Sequence, residues 1–432
     1  MGRGPERLRR VGERAGRRIG ARRAEAGGSE REPGVRLLLI GNYVLDEQQS
    51  MQRFARVLVE HLSDRGLAVE WIRPQPWCGR FGNPQAGWSK WLGYLDKFVV
   101  FPAVLQREIR RMTTASGGRL VVHICDHSNA AYTRKLRGIP HVVTCHDLLA
   151  VRCSLGEVVT QHPTRWTGRQ LQGMILRGLE RAGRATCISE ATLKDLLRLS
   201  RIDPARADVT EMGLNYPYSP MPALDAQPLV AALLRRSQAS CPSSVIALPS
   251  QPFPAPYLLH VGGNQWYKNR MGVLRIYSRL LSLDPGAPRL FMVGRAFTEE
   301  MRDYVARRGL QARVIPILTC GDEELRALYS LAELLLFPSW EEGFGWPIAE
   351  AQACGCRVVT TGKPPMTMVG GLGADYIDPS DPDRAAETVR RSLAESPSIR
   401  EERRAYGLSY SRRFATSRMI DKYLEIYTEL AA

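Results

Sequence analysis

Residues 35–73 read VRLLLIGNYVLDEQQSMQRFARVLVEHLSDRGLAVEWIR. Val35–Tyr43 opens with an apolar run of strand length. From Ser50 to Leu62, the apolar residues Met51, Phe54, Val57, Leu58 and Leu62 recur at three- and four-residue spacing, which predicts an amphipathic helix. Leu67–Arg73 is a second strand. Strand, helix, strand is the signature of a doubly wound parallel sheet. The alternation continues with strands expected at Arg119–Asp126, His141–Leu149 and Ala185–Ser189. A second series follows residue 255, at Tyr257–Gly262, Arg289–Gly294, Ala312–Leu318, Ala332–Pro338, Arg357–Thr361 and Ala374–Asp378, with helical patterns such as Arg270–Leu281 and Asp322–Leu331. Between the two series, residues 216–256 hold nine prolines, which deny backbone donors and predict an irregular connection. The expected fold is α/β, with two doubly wound, Rossmann-like domains facing a cleft. The divisions are a tail at 1–34, a first domain at 35–216, a linker at 217–256 and a second domain at 257–405. A helix over 406–432 is expected to pack back on the first domain. Ligands of such sheets bind at the carboxyl ends of the strands.

Composition sets the outer bounds. The chain has 432 residues, 44% hydrophobic and 24% charged, which is ordinary for a globular protein and excludes general disorder and coiled-coil or collagen patterns. No run approaches the ~18 apolar residues of a membrane span. The net charge is +16, and residues 1–36 carry +6 of it, from 11 Arg and 5 Glu. That segment has almost no large apolar residue, so it is expected to be disordered and not a secretory signal. A basic tail suits contact with an anionic membrane or nucleic acid, or is simply an extension. Nine cysteines without a CxxC pattern read as free thiols in a reducing compartment, the cytoplasm.

The segment richest in chemistry is Pro338-Ser-Trp-Glu-Glu342-Gly343-Phe344-Gly345-Trp346-Pro347-Ile-Ala-Glu350-Ala-Gln-Ala-Cys-Gly355. An apolar strand runs into a glycine-punctuated loop, and a helix then begins. Pro347 suits the first helical turn, and Gly343 and Gly345 let backbone approach a ligand. Exposed N–H groups and the positive helix end make an anion site. Glu342 and Glu350 are carboxylates able to accept hydrogen bonds from hydroxyls on either side of a phosphate.

The string E-G-F-G-x-P-x-x-E-A, preceded by a strand and Pro-Ser, resembles the E-x7-E motif of retaining family-four glycosyltransferases of GT-B fold, the group 1 type. The resemblance implies that Glu342, with the Phe344–Trp346 backbone, holds the hydroxyls of a donor sugar and that Glu350 holds the nucleotide ribose. Tyr257–Arg270 resembles the strand, loop and helix that carry a phosphate-binding lysine. Lys268 takes that role, since a cation must offset the diphosphate if no metal does. The arginine common in the family about five positions earlier is replaced by Gly263 and Asn264. Arg270 and Arg295 are the substitutes on offer, with Gly262 and Asn264 completing the donor loop. Val142–Leu148 ends a strand in His146-Asp147, resembling the family's His-Asp at the donor sugar, where imidazole can donate to a hydroxyl or steady developing charge. Asp126 and His127 end the preceding strand. With Asp147 they are read as lining for the acceptor. His123 and His127 do not suit a metal, because a strand's period of two places Cys125 between them. Ser189 is an expected helix cap.

The function implied is metal-independent transfer of a hexosyl unit, with retention, from a nucleotide-diphosphate sugar to a glycan or lipid-linked acceptor, as in polysaccharide biosynthesis. His146, Lys268 and Glu342 are its catalytic candidates. No cofactor and no nucleic-acid partner are expected, and membrane contact would be peripheral, at the inner face of the plasma membrane. The alternatives are a non-catalytic nucleotide-sugar binder and a basic membrane- or nucleic-acid-binding protein. A metal-using transferase would need a D-x-D. The match, Asp381-Pro-Asp383, reads as a helix cap.

Overall fold

The computed structural model describes residues 34–46, 49–81, 89–114, 118–158, 164–240 and 256–432. The tail at 1–33 and the prolines of 241–255 lie outside these residues.

Two six-stranded parallel sheets form the frame. The first contains β1 Arg36–Ile40, β2 Ala68–Ile72, β3 Leu120–Ile124, β4 His141–Cys145, β5 Arg184–Cys187 and β6 Ala207–Val209, in the order β2-β1-β3-β4-β5-β6. The second contains β7 Tyr257–Val261, β8 Arg289–Val293, β9 Val314–Ile317, β10 Leu334–Phe337, β11 Val358–Thr361 and β12 Ala374–Ile377, in the order β12-β11-β10-β7-β8-β9. Both orders reverse once. In the first sheet the reversal falls between β1 and β3, and in the second between β7 and β10. Such switch points leave a crevice at the strands' carboxyl ends.

The central strands are largely apolar because both faces are covered, whereas β2, β6 and β12 at sheet edges carry Glu70, Asp208 and Asp375 and are partly exposed. In β1, Leu37 and Leu39 face one core while Leu38 and Ile40 face another, all fully buried. The first of these cores continues through Phe414 and Ile420 to Tyr257 and Phe337 of the second sheet, so the two sheets share buried apolar surface.

Two expectations are corrected. The Pro-rich connection contains a helix, Ala223–Ser240, with Pro228 inside it. Ala226, Val230, Leu233 and Leu234 make a buried stripe that packs beside helix Asp322–Leu331, and that burial outweighs the hydrogen bond lost at Pro228. The C-terminal 406–432 stretch is two helices, Pro397–Ser411 and Thr416–Ala431, separated by a turn at Arg412–Phe414. No Gly or Pro marks the break. It is held by tertiary partners: Leu214 N–H donates to the Phe414 carbonyl at 2.9 Å, and Arg413 pairs with Glu211.

The first of these helices packs against Trp346–Ala353, while the second crosses to the first sheet. There the Tyr427 hydroxyl meets His123 Nδ1 at 2.7 Å, and Tyr423 meets the Thr144 hydroxyl at 2.8 Å. Ile426 is fully buried on the same face. Ile426→Ala should cost about 2–5 kcal/mol in urea unfolding. A loss under about 0.5 kcal/mol would mean that this helix is not part of the cooperative core.

Candidate active site

The two loops at the second switch point are stitched together by backbone. After β7 the chain turns through Trp266–Lys268 to Asn269, which sits at φ 51°, a left-handed conformation that asparagine tolerates. The Asn269 side chain caps helix Arg270–Leu283 by accepting from Gly272 N–H at 3.1 Å, and it donates to the Pro338 carbonyl at 2.9 Å. Trp340 N–H donates to the Tyr267 carbonyl at 2.7 Å. These bonds bring Lys268 to Glu342. The ammonium donates to both carboxylate oxygens at 2.8 Å, and the two side chains are 18% and 7% exposed. The rings of Tyr267 and Phe337 lie 5.6 and 5.3 Å from the ammonium.

Helix Trp346–Ala353 starts from Gly345, at φ 101°. Glu350, one turn in, is buried and accepts from the Tyr329 hydroxyl at 2.9 Å. Burial pushes its pKa up to about 7, against the opposing pull of Tyr329, Arg53 and Lys268.

Gly343 touches the other domain. A Cβ there would lie 2.3 Å from the His146 carbonyl oxygen, so only glycine fits. Ser189 caps helix Glu190–Leu199, as expected, and its hydroxyl also donates to the Gly343 carbonyl at 3.0 Å. The Trp346 indole donates to the Gly213 carbonyl at 3.1 Å, and the Phe344 ring packs edge-on against Phe414.

His146 therefore stands beside the Glu342 loop. Its Nε2 lies 2.8 Å from the Cys125 carbonyl and must donate to it. Burial lowers its pKa, so the ring is neutral and Nδ1 carries a lone pair with no partner among the described residues. The N–H that the expected imidazole donor would use is thus already engaged with a carbonyl, and the other nitrogen, Nδ1, is a buried acceptor.

At the first switch point, Asp126 accepts from Asn42, from Ser128 N–H at 2.9 Å and from His127 Nδ1 at 3.2 Å. Burial opposes ionisation of Asp126, but these bonds outweigh it and hold the carboxyl well below its usual range. Burial likewise opposes the charge on His127, and the carboxylate raises its pKa regardless. Asp147 accepts from the Leu149 N–H at 3.0 Å, just ahead of helix Leu149–Ser154. His123 is wholly buried between Tyr427 and Thr144, away from His127. Asp381 caps helix Pro382–Leu393 through Arg384 N–H.

Gly262, Asn264, Arg270 and Arg295 gather on the other flank of the β7 loop. Arg270 is 4% exposed, and it donates to Asn264 Oδ1 and, at 2.7 Å, to the Arg295 carbonyl. Its Nε and Nη2 have no partner among the described residues, and burial pushes its pKa down to about 10. Its guanidinium is turned inward.

Sequence reasoning missed the contacts that cross the cleft. Arg53 pairs with Asp322 at 3.0 Å, and Arg152 reaches Glu341 at 3.2 Å while Lys363 holds the same carboxylate at 2.9 Å. These partners lie far apart along the chain, and no spacing pattern links them.

Residues 250–409 match the family model described as glycosyl transferases group 1, and residues 51–216 match that of glycosyltransferase family 4. The chain is 25% identical over 297 residues to O-antigen chain mannosyltransferase B of Escherichia coli, covering 67% of this chain and 71% of that one. A D-inositol 3-phosphate glycosyltransferase of Mycolicibacterium vanbaalenii is 28% identical over 273 residues, 60% of this chain and 55% of its own. GDP-mannose:cellobiosyl-diphosphopolyprenol alpha-mannosyltransferase of Xanthomonas oryzae is 24% identical over 249 residues, 56% and 63% of the two chains. Among solved structures, sucrose-phosphate synthase from Thermosynechococcus elongatus superposes with a TM-score of 0.67 at 19% identity, over 92% of this chain and 99% of that one. The two sheets and their solved neighbours define a GT-B fold, and the family models and relatives support glycosyl transfer from a sugar-nucleotide donor. The chain belongs to the group 1, family-four glycosyltransferases.

The Glu350 pKa gives a pH test. A carboxylate accepts hydrogen bonds from a ribose diol, whereas the neutral acid has lost one acceptor site. The donor KM should therefore rise about tenfold as pH falls from about 8 to about 6, through the raised pKa. Glu350→Gln should remove that slope. A KM that is flat with pH, or equally steep in the variant, would contradict the assignment.

Proposed function

We propose that this chain is a retaining, metal-independent glycosyltransferase that moves a hexosyl unit from a nucleotide-diphosphate sugar to a lipid-linked or glycan acceptor. The observation that carries this reading is the largely buried Lys268–Glu342 pair at the second switch point, set against His146 of the first domain. A diphosphate entering this crevice competes with Glu342 for the ammonium. Lys268 then offsets the charge that develops as the sugar C1–O bond breaks, helped by the helix start at Gly345. The released Glu342 carboxylate accepts from sugar hydroxyls, and neutral His146 Nδ1 accepts another. Glu350 takes the ribose. The acceptor oxygen bonds to C1 on the face the diphosphate leaves, and its proton passes to the departing phosphate. Retention rests on family membership. Two of the relatives are named for mannosyl transfer, and the Xanthomonas protein is named for a diphosphopolyprenol acceptor, which favours a lipid-linked one here.

Donor turnover should survive excess EDTA, and Lys268→Ala should reduce it by orders of magnitude. Glu342→Gln should mainly lower kcat and Glu350→Ala mainly raise the donor KM. NMR of early product should show the donor's own anomeric configuration. Loss of activity in EDTA with recovery on manganese, or an inverted product, would overturn the mechanism.

A further inference from the structure

One flank of the first domain is apolar where a water-facing surface should not be. Helix Ser89–Leu95 continues through a π-type turn at Asp96–Val100 into helix Phe101–Thr114. Its inner side buries Phe101, Leu105, Ile109 and Met112. Its outer side is also apolar at first: Trp91 (56% exposed), Tyr94, Leu95 and Val99 (62% exposed) recur at helical spacing, with the Tyr94 and Phe98 rings stacked 5.9 Å apart. The neighbouring turn adds Trp77 and Phe81, the latter 75% exposed. This turn is tied to the helix by Cys78 and Gly79 N–H groups donating to Asp96 at 2.9 Å. A helix that is apolar on both sides is expected only where its second side also leaves water.

The groove beside the stripe is lined by cations and, among the described residues, by no acidic side chain. Phe98, Val99 and Pro102 form one wall of this groove of about 1070 Å³, and Arg134, Arg137 and Arg181 line the other. Those three arginines and Lys135 are exposed, and none is ion-paired among the described residues. Arg80, Arg107 and Arg110 add exposed cations. Apolar side chains beside unpaired cations are complementary to a surface with acyl chains beneath phosphates.

The flank also adjoins the cleft. Tyr43 and Asp46, just beyond the carboxyl end of β1, bond Asp96 and Lys97 at 2.8 Å. The turn carrying Arg134 and Lys135 begins at His127.

We propose that this flank is a docking surface for an anionic lipid bilayer, with the 91–99 stripe entering the acyl boundary and the cations of 134–137 at the phosphates. It extends the lipid-linked acceptor reading by placing the membrane at the acceptor side of the cleft. It is tested without donor or turnover, so the two can fail separately.

The test is flotation of the full chain with vesicles of phosphatidylglycerol or of phosphatidylcholine. The chain should float with the first and not the second, less as salt rises. Trp91→Ser with Val99→Ser should weaken binding at least tenfold. Neutralising Arg134, Lys135 and Arg137 to Gln should weaken it about a hundredfold, from the usual contribution of each cation near an anionic surface. All these residues are exposed, so thermal unfolding and turnover on a water-soluble acceptor should be unchanged. Full binding by both variants would overturn the proposal, as would binding lost only when residues 1–33 are removed. So would a dimer in the absence of vesicles that the Trp91→Ser, Val99→Ser variant dissociates, since the stripe would then be a contact between copies.

Discussion

The bond between the Lys268 ammonium and both oxygens of Glu342 is the interaction around which the site is arranged. Taking two charges out of water is costly, and a buried pair persists only where geometry and neighbours compensate. Here the geometry comes from Asn269 bridging to Pro338 and Trp340 bridging to Tyr267, and the neighbours are two aromatic faces. The pair is a balanced store of one positive and one negative charge. In the proposed mechanism a diphosphate takes the first and sugar hydroxyls the second.

Glu341 and Glu342, adjacent in sequence, do different work. Glu342 faces the lysine of its own domain, whereas Glu341 is fastened to the first domain by Arg152 and to the second by Lys363. Together with the Ser189–Gly343 bond and the Arg53–Asp322 pair, this fixes the Glu341–Gly343 loop against the carboxyl ends of the first sheet. The crossing of the C-terminal chain at 412–415 ties the same two bodies from behind. His146 reaches the loop because of these contacts.

The frame was legible because central parallel strands buried on both faces must be apolar: ten of the twelve strands fall inside stretches read as such, and an eleventh, Arg184–Cys187, begins one residue before its stretch. The missed strand, Ala207–Val209, is three half-buried residues at a sheet edge, too short to show a period. The helix at 223–240 was hidden by proline density, and the break at 412–415 by the absence of any breaker residue. In the site, the E-x7-E spacing and Lys268 were legible because each lies within one local element. The inward turn of Arg270, the acceptor lone pair of His146 and the Arg152–Glu341 fastening were not, because each is decided by a partner from a distant part of the chain.

The most direct measurement is calorimetric binding of a nucleoside diphosphate, without sugar, to the wild type and to Glu342→Gln. If Glu342 and the diphosphate compete for the Lys268 ammonium, removing the carboxylate charge should tighten diphosphate binding by about tenfold, a coupling of ordinary size. Unchanged or weaker binding in the variant would contradict the role assigned to the pair.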